Sequence, residues 1–73
     1  MSTDDEFTDF VRAHSAGLLR TAYYLTGDRG LAEDLLQITL TKVYLQWHRI
    51  ESRGAVLTYV RKTMVTTATR PAR

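Results

Sequence analysis

The 73-residue sequence predicts an all-α fold, a compact bundle of three main helices. Apolar residues recur at steps of three and four, and no window alternates with the period of two that a strand needs. Turn-forming residues gather at two places, Thr26-Gly27-Asp28 and Ile50-Glu51-Ser52-Arg53-Gly54, which divide the chain into three helical lengths.

The first helix opens on Thr3-Asp4-Asp5-Glu6, which has capping-box spacing, with Thr3 as the cap and Glu6 reaching back. Phe7, Phe10, Val11, His14, Leu18, Ala22 and Leu25 then form its apolar stripe. Gly27 suits the left-handed residue that closes a helix, and Asp28 suits the cap of the next. The second helix is expected over Arg29–Arg49, with an acidic first turn. Ala32, Leu35, Leu36, Thr39, Leu40, Val43 and Trp47 make its main stripe; Leu31, Ile38 and Leu45 widen it. A stripe that wide implies contacts on more than one side. Trp47 with Tyr44 is read as core, while Tyr23 and Tyr24 are expected to divide between core and surface. After the polar link, the third helix is expected over Ala55–Thr69, with Val56, Leu57, Val60, Met64 and Ala68 inward and Pro71 ending it. A single core is expected from Phe10, Leu18, Leu36, Leu40, Val43, Trp47, Val60 and Met64.

Composition narrows the function. There is no Cys, hence neither a disulfide nor a thiolate metal site. No apolar run approaches the ~20 residues of a membrane span. The acidic start, Asp4-Asp5-Glu6, argues against a secretory signal, so a cytoplasmic location without membrane contact is the expectation. His14 and His48 lie on separate elements without metal-ligand spacing, and no phosphate-binding glycine loop follows a strand. No enzyme, metal or cofactor is expected.

Charge is divided along the chain. Residues 1–34 hold seven acids and three bases, and residues 35–73 hold seven bases and one acid, giving halves of −4 and +6. Two partner surfaces of opposite sign would produce this, as would solvated helix faces that happen to differ. Asp34 and Gln37, three residues apart, project side by side and can bond a basic partner. Glu33 is adequately explained by the helix dipole; Asp34 is less so, and Gln37 not at all. On the third helix, Arg61, Lys62, Thr66, Thr67 and Arg70 form a polar, basic strip with Arg53 nearby. Such a strip can contact phosphates and bases, although composition alone favours an ordinary cationic helix end.

The segments Leu18-Leu19-Arg20-Thr21-Ala22-Tyr23-Tyr24-Leu25-Thr26-Gly27-Asp28, Ala32-Glu33-Asp34-Leu35-Leu36-Gln37 with Val43 and Trp47, and Tyr59-Val60-Arg61-Lys62-Thr63-Met64-Val65 cover most of the chain. Together they resemble region two of the extracytoplasmic-function sigma factors, promoter-recognition subunits of bacterial RNA polymerase. The resemblance implies a transcription-initiation binding module with no catalysis of its own. It implies docking on the clamp helices of core RNA polymerase through Asp34 and Gln37, with Glu33 beside them. It also implies capture and melting of the promoter minus-ten element, by its non-template single strand. Arg61, Lys62, Thr66 and Thr67 would face the DNA, and the Glu51–Leu57 link would hold a flipped base; on charge alone Arg53 and Arg70 join them as DNA-binding candidates. An anti-sigma factor is a further candidate partner. The family usually carries Asn where Thr66 stands, and Thr cannot make an amide-type bidentate contact to adenine. Residues 1–73 are expected to be one region-two domain, lacking the downstream helix-turn-helix domain of complete members. The alternative is a small helical protein-interaction domain, inhibitor-bound or self-associating, without direct DNA binding. A helix-turn-helix reader of duplex DNA is disfavoured, because the first turn of the third helix offers Ala55, Val56 and Leu57.

Overall fold

The computed structural model describes residues 3–50 and 53–69. Helix α1 runs over Thr3–Thr26, α2 over Arg29–Leu45 and α3 over Arg53–Thr69, with a 3-10 turn at Trp47–Arg49 between the last two. At 1.5 Å per residue the 24 residues of α1 span about 36 Å, which matches the longest dimension of the molecule, 36 Å. Helix α2 packs against both of the others, and α1 meets α3 over a smaller area.

The first turn forms as the residue types dictate. Gly27 takes φ +72°, a conformation a Cβ would strain, and its N–H donates to the Tyr23 carbonyl at 2.7 Å. Asp28 is extended, and its carboxylate accepts from the Leu31 N–H at 2.8 Å, satisfying one of the free donors of α2. Thr26 adds a bond from its hydroxyl to the Ala22 carbonyl at 2.9 Å.

The second helix ends earlier than its periodicity implies. At Gln46 the N–H bonds back to the Val43 carbonyl at 3.0 Å, and the tighter three-residue spacing continues through Arg49 and Ile50. No Gly or Pro marks this change, so pattern alone carries α2 on to Arg49. The third helix starts two residues sooner than expected, at Arg53. Thr3 lies within α1; the capping expectation for its side chain, together with Glu51, Ser52 and the stop at Pro71, falls outside the described residues.

Leu18, Ala22, Ala32, Leu35, Val43, Trp47, Val56, Val60 and Met64 are buried in one core, with Thr39 also fully enclosed. Phe10, Leu36 and Leu40, expected among the central residues, pack around the edge half-buried. Ala22 and Ala32 are fully buried, and their small side chains let the helices approach closely. Trp47 sits under two rings of α1. Phe7 meets it edge-on at 5.2 Å between centroids, and Phe10 is tilted at 5.6 Å. His14 is half-buried with its ring 4.7 Å from that of Phe10, a boundary position.

Leu31, Ile38 and Leu45, which widen the α2 stripe, are 57%, 48% and 64% exposed, because they lie around the α2 cylinder from the side that α1 and α3 cover. The assignments of tyrosines are corrected. Tyr44, expected in the core, is 43% exposed at its edge, and Tyr23 and Tyr24 both face solvent rather than dividing between core and surface.

Trp47→Ala is expected to destabilise the chain by about 3–5 kcal/mol, since it removes the ring that α1, the 3-10 turn and the core share. Thermal unfolding measures this. A midpoint equal to the parent's would show that the ring does not support the core.

Candidate functional site

The outer side of α2 carries the first candidate surface. Leu31, Asp34, Ile38, Thr41 and Leu45 follow one another at steps of three, four, three and four, and all five are exposed. This is the spacing of a coiled-coil seam, in which one helix presents a narrow apolar strip to another. Asp34 stands in the strip between Leu31 and Ile38. Gln37, also exposed, borders a groove between α1 and α2 together with Phe7, Val11, Leu40 and Tyr44. The structure therefore places Asp34 and Gln37 on adjoining parts of one solvent-facing surface.

Glu33 and Asp34 lie in the second turn of α2, not the first, which contains no acid. Dipole stabilisation fades beyond the first turn, so it accounts poorly for either residue. Glu33 has a local partner instead: Arg29 Nε lies 3.2 Å from its carboxylate, an exposed pair worth at most about 1 kcal/mol.

The groove beside Gln37 has a fixed wall. The Tyr44 hydroxyl donates to the Asp4 carboxylate at 2.6 Å, and the Tyr44 ring meets Phe7 edge-on at 5.0 Å. Together they clasp the start of α1 to the end of α2. The hydrogen bond and the negative charge of Asp4 raise the Tyr44 pKa above its usual 10.0.

The basic strip on α3 divides when its residues are placed. Arg61, Lys62 and Thr66 are exposed, but they do not share one line. Arg61 turns toward α1, where it lines a groove with Gly17, Leu18, Arg20 and Leu57. Thr67 turns the other way and is half-buried, its hydroxyl accepting from Lys42 Nζ of α2 at 2.9 Å. Lys62 and Thr66 remain on the outward side. The side chain of Arg53 and all of Arg70 lie outside the described residues. Gly54 and Leu57 line a second opening with Phe10, His14 and Trp47, with Glu6 and Asp9 at its rim. Its rings and carboxylates suit a neutral planar group better than a phosphate.

Two contributors were not distinguished in the sequence as site residues. The seam was visible as Leu31, Ile38 and Leu45, read as contacts on a further side of α2 but not as site residues. The Lys42–Thr67 bond joins residues 25 positions apart and has no local signal. Among the described residues no group of His, Cys, Asp or Glu could hold a metal ion, and no helix is long and apolar enough to cross a membrane.

Comparison with known proteins follows this geometry. The family pattern described as Sigma-70 region 2 matches residues 10–73. The RNA polymerase sigma-E factor of Streptomyces coelicolor is 39% identical over 64 residues. Its counterparts in Streptomyces avermitilis and Streptomyces antibioticus are each 38% identical over the same length. Each alignment covers 88% of this chain and 36% of the relative, so the chain spans little more than a third of the proteins it resembles. No solved structure matches.

Tyr44→Phe is expected to lower stability at neutral pH by removing the donor to Asp4. A raised folded-state pKa means that the protonated hydroxyl is favoured by folding. The contribution is thus fully present below pH ~10 and disappears as pH rises through the raised value. Denaturant midpoints of parent and variant should differ at neutral pH and converge in strong alkali. A gap that widens with rising pH would contradict the clasp.

Proposed function

The chain belongs to the Sigma-70 region 2 family, of the extracytoplasmic-function type, and we propose that it joins core RNA polymerase to the promoter minus-ten element. The observation that carries this reading is the exposed seam on α2. A lone helix in water gains nothing from an apolar strip with coiled-coil spacing, whereas paired clamp helices offer that strip a matching partner. Leu31, Ile38 and Leu45 would supply the apolar contact. Asp34 and Gln37 would fix register and orientation by bonding basic or polar groups on the clamp, with Glu33 at the edge.

DNA capture would fall to α3 and the segment before it. Lys62 and Thr66 face outward, Arg61 turns toward α1, and Arg53 and Arg70 would extend the charge at either end. The opening formed by Phe10, His14, Trp47, Gly54 and Leu57 supports the capture of a flipped base beside the Glu51–Leu57 segment. In this reading Thr67 braces α3 on α2 through Lys42 and touches DNA less than Thr66 does. The protein would work in the bacterial cytoplasm, without catalysis. An anti-sigma factor would compete for one of the same faces.

Asp34→Arg is expected to weaken binding to a recombinant clamp-helix fragment at least about tenfold, ~1.4 kcal/mol, with helicity unchanged because Asp34 is exposed. Ile38→Ala should weaken it through lost apolar area. Titration calorimetry measures both. Unchanged affinity in both variants would favour the other use of the seam, docking a helical inhibitor or a second copy of the chain.

Thr66→Asn is expected to strengthen or retune capture of non-template oligonucleotides, because an amide can pair with adenine in two places. Fluorescence anisotropy across strands varied one base at a time measures this. Equal binding of every strand, and of duplex, by parent and variant would reduce α3 to a basic surface.

A further inference from the structure

Two grooves meet on the outer flank of α1, and Arg20 lines both. The first lies between α1 and α3 and holds Arg20 and Arg61 over the floor of Gly17 and Leu57. The second continues toward the α1–α2 turn and holds Arg20, Tyr23, Tyr24 and Arg29. The Arg20 guanidinium lies back along its helix: a Cβ added at Gly17 would stand 3.7 Å from its terminal nitrogen. Tyr24 is 87% exposed and Tyr23 52%. The path from Ala13 to Gly27 covers about 20 Å of helix, the reach of a few nucleotides.

No described residue lining either groove is acidic. The openings on the other flanks differ, since Glu6 and Asp9 border one and Asp4 the other. Among the described residues, charge and aromatic surface thus come together on this flank: guanidinium groups precede two exposed ring faces outside the core. That sequence of groups fits a single nucleic-acid strand, whose phosphates need cations and whose bases need flat partners. A helical protein partner would be expected to meet a strip with helix spacing, which this chain presents on α2.

We propose that the α1 flank marked by Arg61, Arg20, Tyr23 and Tyr24 is a track on which a single nucleic-acid strand continues beyond α3. The track rests on the reading of α3 as a DNA-facing helix. Arg61 is where the two surfaces join, because it belongs to α3 and lines the first groove. Arg20 neutralises a phosphate, and Tyr24 stacks on a base without regard to its identity.

The test uses the 73-residue chain and two non-template oligonucleotides, one spanning the minus-ten element alone and one lengthened by a few nucleotides at each end in turn. Anisotropy should show that lengthening at one end strengthens binding about tenfold and steepens the salt dependence by ~0.7 per added phosphate contact. The double variant Arg20→Ala, Tyr24→Ala should lose this gain and bind the short strand as the parent does. Tyr24→Phe should keep the gain, since the ring face remains. A 5-iodouracil placed in the added segment should crosslink to the parent at Tyr23 or Tyr24. If lengthening adds nothing, or the double variant retains the gain, the track is wrong and the flank is left to a protein partner, while short-strand binding keeps the reading of α3. If neither strand binds, that reading falls and the track with it.

Discussion

Helix α2 is apolar on two sides, and α1 and α3 cover one of them. Ala32, Leu35, Thr39 and Val43 are buried against α1 and α3. Leu31, Ile38 and Leu45 are left half in water, each forgoing about half of the roughly 1.5–3 kcal/mol that full burial would give. A chain selected for stability alone would replace them with polar residues at no loss to the core. Their spacing, with Asp34 and Thr41 between them, makes sense as a strip held ready for a partner helix. Helices α1 and α3 pack on the opposite side of α2 and leave this strip facing outward.

That arrangement is demanding for 73 residues, where the core is near the lower limit of self-sufficiency. Aromatic packing supplies much of what small size denies. Phe7 and Phe10 close over Trp47, so the 3-10 turn that follows α2 is fastened to the first turns of α1. Two polar ties brace the perimeter, Tyr44 to Asp4 and Lys42 to Thr67. Both begin on α2 and reach a different neighbour. Their effect is positional: α2 presents its outer strip while α1 and α3 are held at its two flanks.

The parts legible in the sequence were those with local causes. Thr26-Gly27-Asp28 announces its turn through residue types, and the turn forms as those types require, with a left-handed Gly27 and a capping Asp28. The early end of α2 had no such cause, because neither Gly nor Pro interrupts Val43 to Ile50 and the backbone alone tightens there. Leu31, Ile38 and Leu45 were visible as apolar residues at helical spacing. Periodicity reports that a side is apolar, not whether its own chain covers it. Tyr23 and Tyr24 were illegible for the same reason. Arg61 and Thr67 looked like members of one strip, yet α1 claims the neighbourhood of the first and Lys42 engages the second.

On the proposed reading, the outer strip of α2 is the surface that meets RNA polymerase. The most direct test of that reading is residue-resolved mapping of the isotope-labelled chain by NMR, as a clamp-helix fragment is added. Shift changes should concentrate at the amides and side chains of Leu31, Asp34, Gln37, Ile38, Thr41 and Leu45, with Lys62 and Thr66 of α3 undisturbed. Shifts confined to α1 or α3, with the α2 strip unchanged at saturation, would contradict it.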